Sequence, residues 1–171
     1  MTHRIIRSMP TRAFRWSVAT LLALVLARPA HADITAFLGS TPSPSSRAVK
    51  GLAFGAGLLI AGFEFEYASA QEQPEEARPG LRTGMGNVLL QTPFAIGGLQ
   101  PYVTTGAGLY RERLGTATET NVVLNTGGGV KISLAGPVRL RLDYRVFSLK
   151  GDPTARTVHR VYAGEIGRAH V

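Results

Sequence analysis

Charged residues occupy every second position in two separate segments of the chain. In the first, 63–67, acidic residues alternate with aromatic ones. In the second, 137–149 (PVRLRLDYRVFSL), charged residues alternate with aliphatic residues and tyrosine. Successive side chains of a β-strand point to opposite faces, so each set of charges shares one face of a predicted strand. Lys131 lies on the polar face of a third predicted strand, between these two segments in sequence. The candidate cluster is therefore Glu64, Glu66, Lys131, Arg139, Arg141, Asp143 and Arg145. Acids and bases on neighbouring strands could pair across a sheet.

The same two-residue period recurs along most of the sequence, whereas no long segment repeats every 3.6 residues. Proline, serine and glycine clusters separate the periodic segments, as at 40–46 and 151–153. The pattern predicts an all-β chain of eight antiparallel strands whose long and short connections alternate. We expect the strands near 33–39, 48–56, 58–68, 84–94, 99–113, 119–135, 137–149 and 156–164.

Strand length and the charged face favour a membrane barrel over a soluble one. Several predicted strands have 10 to 15 residues, whereas strands of soluble sheets average five or six. About 9 to 11 tilted residues cross a bilayer. A barrel in lipid turns its apolar face outward and its polar face into the lumen, and it closes because an unpaired edge is costly in hydrocarbon. Aromatic residues near strand ends suit the two membrane interfaces: Phe37, Tyr67, Phe94 and Phe147.

The formal net charge of +8 would fit a nucleic-acid-binding protein, but its distribution argues against that interpretation. The segment 1–32 contains five arginines and no acid, and without it the net charge is +3. A basic region, an apolar run at 16–27 (WSVATLLALVLA) and Ala30-His31-Ala32 together predict a secretory signal peptide. We expect cleavage after Ala32, an exported chain that begins at Asp33, and no nucleic-acid partner.

The sequence offers little material for catalysis or for cofactors. It has no cysteine, no GxGxxG pattern and no P-loop, so its glycine clusters indicate strand packing. Of four histidines, His3 and His31 belong to the signal peptide and His170 to the last seven residues. That leaves His159, with Ser133 or Ser148 as conceivable nucleophiles. We therefore predict no enzyme, no cofactor and no metal site.

Four features together resemble the small outer-membrane β-barrel proteins of Gram-negative bacteria, the eight-stranded OmpA-like/opacity-porin superfamily. They are the signal peptide and the segments 100–110 (QPYVTTGAGLY), 125–132 (NTGGGVKI) and 140–146 (LRLDYRV). The resemblance implies an eight-stranded up-and-down transmembrane barrel over 33–164. It also implies export through the periplasm, insertion by the barrel-assembly machinery with periplasmic chaperones, short periplasmic turns and longer outward loops.

The C-terminus departs from that family, whose last strand ends on an aromatic residue. Here 158–164 begins a final strand, and 165–171 (EIGRAHV) breaks its pattern. The same seven residues are encoded by a common sequencing adapter read in frame. We predict a truncated gene, an incomplete last strand and a non-native tail at 165–171. An intact genomic locus encoding these residues would contradict this.

Three functions remain open at this stage. The first is an integral outer-membrane protein with a structural, envelope-integrity or surface-interaction role. Its partners would be outer-membrane lipid, lipopolysaccharide and a possible surface partner that contacts the loops. The second is a narrow porin-like channel lined by the charge cluster, although eight strands enclose little open volume. The third is a soluble periplasmic ligand-binding barrel of the lipocalin type.

Overall fold

The computed structural model describes residues 31–44, 46–134 and 138–169. Within these ranges the chain forms eight strands and one short 3₁₀ turn at Pro74–Glu76. The strands are β1 (His31–Ser43), β2 (Arg47–Leu58), β3 (Ala61–Ala70), β4 (Gly80–Gln91), β5 (Leu99–Leu114), β6 (Ala117–Ser133), β7 (Arg139–Leu149) and β8 (Thr157–Ala169). Their alternating sequences explain their formation, because each strand can send one set of side chains to each side of a sheet.

The strands form a closed antiparallel barrel in which each pairs with its neighbour in sequence. The first strand closes the barrel against the last, from the pair Ala32 and Ala169 to the pair Ser43 and His159. A register shift between Ser40 and Ser43 interrupts only this seam. The predicted fold class, an all-β barrel of eight antiparallel up-and-down strands, is therefore confirmed.

The connections do not alternate in length as predicted. One end of the barrel, here called the loop end, carries 44–46, 71–79, 115–116 and 150–156. The opposite end, the terminus end, carries 59–60, 92–98 and 134–138 together with both ends of the barrel chain. One loop-end connection, 115–116, is short because its flanking strands are long: β5 and β6, of 16 and 17 residues, extend the ladder to a turn at Gly115, whose φ is 60°. Positive φ favours glycine there.

The outer face carries large apolar side chains, whereas buried polar and charged side chains line the interior. Large apolar side chains that remain exposed include Leu38, Phe54, Phe63, Phe65, Val103 and Leu109. Along β4 and β7, buried and exposed residues alternate, so the inward parity is the one that carries Arg141, Asp143 and Arg145. Toward the loop end, however, the interior also holds an apolar cluster that includes Val49, Leu81, Tyr110, Phe147 and Leu149.

The prediction of interfacial aromatic residues is wrong for two of its four members. Phe37 is 3% exposed and its ring stacks on Tyr162, with 4.3 Å between the ring centroids. Phe147 is fully buried. Both side chains have inward parity on their strands, and position near a strand end does not reveal parity. Tyr67 and Phe94 lie on the outside, as expected.

Inward-facing glycines make room for large side chains on the neighbouring strands. A Cβ at Gly129 would lie 2.6 Å from the hydroxyl oxygen of Tyr102, and one at Gly127 would lie 2.9 Å from Cγ of Arg145. Such approaches are too close for a real side chain. These glycines therefore provide the space that Tyr102 and Arg145 occupy inside the barrel.

Residues 1–30 of the predicted signal peptide and the last two residues of the predicted tail lie outside the described residues. β1 begins at His31, two residues before the expected cleavage point. β8 continues through the first part of the tail, where Ile166 is buried in the interior and Glu165 is exposed. The origin of 165–171 remains a prediction. Within the described residues, no helix is long and apolar enough to cross a membrane.

The outward position of the apolar face leads to a test at Phe65, near the middle of β3 and 73% exposed. We expect Phe65→Arg to destabilise the barrel in phospholipid vesicles by about 2–4 kcal/mol, because the guanidinium would face hydrocarbon. Urea-induced unfolding from vesicles measures the change, with Phe65→Leu as the control. A barrel whose outer face meets water would tolerate Phe65→Arg, and that result would contradict a lipid-facing surface.

Candidate functional site

The centre of the barrel contains three acids and three arginines in mutual contact. The acids are Glu64 and Glu66 from β3 and Asp143 from β7, and the arginines are Arg141 and Arg145 from β7 and Arg160 from β8. All six side chains are buried. Their formal charges cancel, which limits the cost of holding ionised groups away from water.

Arg141 joins both acidic strands on the terminus side of this network. Its Nη1 pairs with Glu64 Oε2, and its Nη2 donates to Glu64 Oε1 at 3.3 Å. Its Nε lies 2.7 Å from the hydroxyl of Tyr102, which in turn donates to Asp143. Tyr102 and Arg141 therefore both donate to the Asp143 carboxylate.

Arg145 contacts all three acids. Its Nη2 is 2.9 Å from Glu64 Oε1, its Nε is 3.2 Å from Asp143 Oδ1, and its Nη1 is 2.9 Å from Glu66 Oε2. The last contact is an ion pair without hydrogen-bond alignment. Arg145 therefore links β3 to β7, as Arg141 does.

Arg160 extends the network toward the loop end. Its Nη1 is 3.1 Å from Glu66 Oε1, and its Nη2 donates to Thr83 at 3.4 Å. The guanidinium carbon lies 4.2 Å from the centre of the Phe147 ring, a cation–π contact. Tyr162 donates a further hydrogen bond of 3.1 Å to Glu66.

The remaining members of the predicted cluster lie closer to the terminus end. Lys131 Nζ is 3.6 Å from Asp33 and donates to Gln91 at 3.1 Å. Arg139, half-buried at the rim, donates to Gln100 at 3.1 Å. The structure thus joins Glu64, Glu66, Arg141, Asp143 and Arg145 in direct contact and places Lys131 and Arg139 beside them.

Sequence reasoning missed several members of the network, namely Arg160, Tyr102, Tyr162, Thr83 and Asn87. Alternation could have found Arg160 and Tyr162, because in the predicted strand 156–164 they share one face, opposite Val161 and Ala163. Asn87 donates to Glu64 at 3.4 Å and accepts from Asn125 at 2.9 Å. Which neighbours meet across the lumen depends on barrel closure, which parity alone does not provide.

The candidate histidine of the sequence lies outside this network. His159 lies on the outward parity of β8, where its Nδ1 is 2.7 Å from the hydroxyl of Tyr144. No group of three potential metal ligands is present in the part of the chain that the structure describes. The geometry suits a fixed, charge-balanced filling of the lumen.

Comparisons with known proteins place this architecture. No protein-family model matches the sequence, and no curated protein sequence matches it. Solved structures do. Neisserial surface protein A is 18% identical with a TM-score of 0.56, over 81% of this chain and 93% of that one. The N-terminal barrel domain of Pseudomonas aeruginosa OprF is 15% identical with a TM-score of 0.59, over 80% and 96%.

The fold is that of the eight-stranded outer-membrane barrels. An outer-membrane enzyme, PagL, shares it too, at 13% identity and a TM-score of 0.50 over 81% of this chain and 99% of that one. A surface protein, a barrel domain and an enzyme therefore share the architecture. At such identities the likeness establishes the fold, and the activity must be argued from the site.

Arg145 provides a test of the charge network. We expect Arg145→Met to lower the free energy of unfolding by about 3–5 kcal/mol, because it leaves three buried carboxylates with two arginines. Arg156→Met is the matched control, since Arg156 is exposed in a loop-end connection. Urea unfolding of both variants in phosphatidylcholine vesicles makes the comparison. Equal stability of the two variants would show that the network contributes nothing.

Proposed function

We propose that this protein is an integral outer-membrane barrel with a closed lumen and a structural or surface-interaction role. The observation that carries the proposal is the pairing of a charge-balanced interior with an apolar exterior. A soluble lipocalin-type barrel would need the opposite arrangement, with apolar side chains lining the interior and polar ones facing water. The exposed side chains of Phe54, Phe65 and Val103 therefore favour an outer face that contacts lipid.

The packed interior favours a structural role over the alternative of a narrow channel. Arg145 and Arg160 are fully buried at the centre of the lumen. A cavity beside Glu64 and Lys131 has a volume of about 20 Å³, room for roughly one water molecule. An ion would have to displace the guanidinium groups from three carboxylates to pass this level.

A row of side chains on the outer face, three of them basic, supports a specific orientation. Lys50, Ser69, Arg82, Arg111 and Thr120 are successive register partners across β2 to β6, near the loop end. Arg82 lies directly opposite Arg111, and both are exposed. Like charges directly opposite each other are destabilising unless an anion lies between them. Lipopolysaccharide phosphates would supply that anion, which puts the loop end at the cell surface.

The remaining expectations follow from this placement and stay proposals. Insertion would use the barrel-assembly machinery and periplasmic chaperones. A surface partner would contact the connections at the loop end, chiefly 71–79 and 150–156. We propose no enzymatic activity and no cofactor, since His159 Nδ1 is engaged by the hydroxyl of Tyr144 on the outer face.

The orientation can be tested by site-specific labelling, because the sequence contains no cysteine. Glu75→Cys lies at the loop end and Ile96→Cys at the terminus end, and both positions are exposed. We expect a membrane-impermeant maleimide to label Glu75→Cys on intact Gram-negative cells, and to label Ile96→Cys only after permeabilisation. The reverse pattern would contradict the orientation, and recovery of the protein in the soluble fraction would contradict the membrane location.

The closed lumen predicts an absence of steady ion conductance. We expect the purified barrel in planar lipid bilayers to give no stable current steps under an applied voltage, because the network blocks the central path. Heat-modifiable migration on a denaturing gel checks that the sample is folded. Reproducible conductance steps from folded protein would favour the channel.

A further inference from the structure

The loop end of the barrel contains a cavity of about 380 Å³ above the apolar cluster of the interior. Its lining includes Leu81, Leu149 and Val158 from the strands and Arg78 from the 71–79 connection. Arg47 of β2 and Glu112 of β5 add opposite charges to the same lining. Apolar and polar groups contribute about equally to this lining, so a ligand that fits it needs both an apolar part and a polar part.

Arg47 is 6% exposed, yet its Nε and Nη1 have no hydrogen-bond partner among the described residues. Arg145 Nη1 and Arg160 Nε of the central network also lack hydrogen-bond partners, but both guanidinium groups pair with carboxylates, whereas Arg47 forms no ion pair with the described residues. Arg145 contacts three carboxylates, and Arg78 in the same lining pairs with Glu76 at 2.7 Å. A buried guanidinium without acceptors costs stability, so its presence beside a cavity indicates an acceptor that enters from outside.

Glu112 limits the charge that this acceptor can carry. It lies near enough to act electrostatically on Arg47, while one of its oxygens already accepts the Thr154 N–H at 2.9 Å. Glu76 also lines the cavity. Arg78 already pairs with Glu76, and the two arginines and two carboxylates of the lining carry no net charge, so a dianion would meet more repulsion there than a single negative charge.

We propose that this cavity binds a small monoanion with an apolar body, such as a carboxylic acid. The carboxylate would accept hydrogen bonds from Arg47, whose planar fork matches its two oxygens. The apolar body would lie against Leu81, Leu149 and Val158. The site is separate from the charge network at the centre of the barrel and gives the protein a ligand-binding function beyond its structural role.

Benzoate is the probe that tests the proposal. The protein is refolded in phosphatidylcholine nanodiscs, and the methyl NMR signals of Leu81, Leu149 and Val158 are followed during titration. We expect saturable shifts with benzoate, and binding about tenfold weaker or worse with benzamide, its neutral isostere. Sulfate, a dianion, should also bind more weakly than benzoate. No saturable shift with benzoate, or equal affinity for benzamide, would overturn the proposal.

Variants separate a ligand contact from a structural role. We expect Arg47→Met to weaken benzoate binding about tenfold or more, whereas Arg113→Met, at an exposed arginine of β5, leaves it unchanged. In urea unfolding, Arg47→Met should lose much less stability than Arg145→Met, because Nε and Nη1 of Arg47 have no hydrogen-bond partner among the described residues. If Arg47→Met binds benzoate normally, or loses as much stability as Arg145→Met, Arg47 is structural and the proposal fails.

Discussion

A closed barrel of eight strands leaves its inward side chains one narrow volume with little room for water, and they must both fill it and balance its charge. Taking an ionised side chain out of water costs several kcal/mol, so an unbalanced lumen would not be stable. Glu64, Glu66 and Asp143 on one side of the balance meet Arg141, Arg145 and Arg160 on the other. Much of the rest of the structure can be understood as a response to that requirement.

The requirement explains details of the strands that surround the network. Gly127 and Gly129 lack side chains where Arg145 and Tyr102 need space. Tyr102 donates to the same Asp143 oxygen that Arg141 contacts. Tyr162 donates to the Glu66 oxygen that Arg145 reaches only as an ion pair. The cation–π contact of Arg160 with Phe147 joins the network to the apolar cluster above it. Packing and charge balance are therefore achieved by the same side chains.

The two ends of the lumen differ in whether their buried cations have protein partners. At the terminus end, Lys131 has both Asp33 and Gln91 as partners. At the loop end, Arg47 has unsatisfied nitrogens beside an open cavity. Arg47 therefore has two donors available to a ligand, and the proposed ligand site lies at the loop end.

Sequence periodicity was sufficient to identify the strands, their number and the face on which Glu64, Arg141 and Arg145 lie, because side-chain alternation is a local property of extended backbone. It failed for Phe37 and Phe147, which were assigned to the membrane interfaces from their position near strand ends. It also failed for the connections, since β5 and β6 pair further than their polar turn residues suggested.

The sequence by itself determined the alternation and therefore the existence of a charged face. Only the tertiary structure decided which charges meet. Glu66 and Arg160 are 94 residues apart in sequence. Neither their contact nor the lack of hydrogen-bond partners for Arg47 Nε and Nη1 follows from sequence spacing. Both depend on closure of β1 against β8, which brings distant strands around one lumen and sets the distance across it.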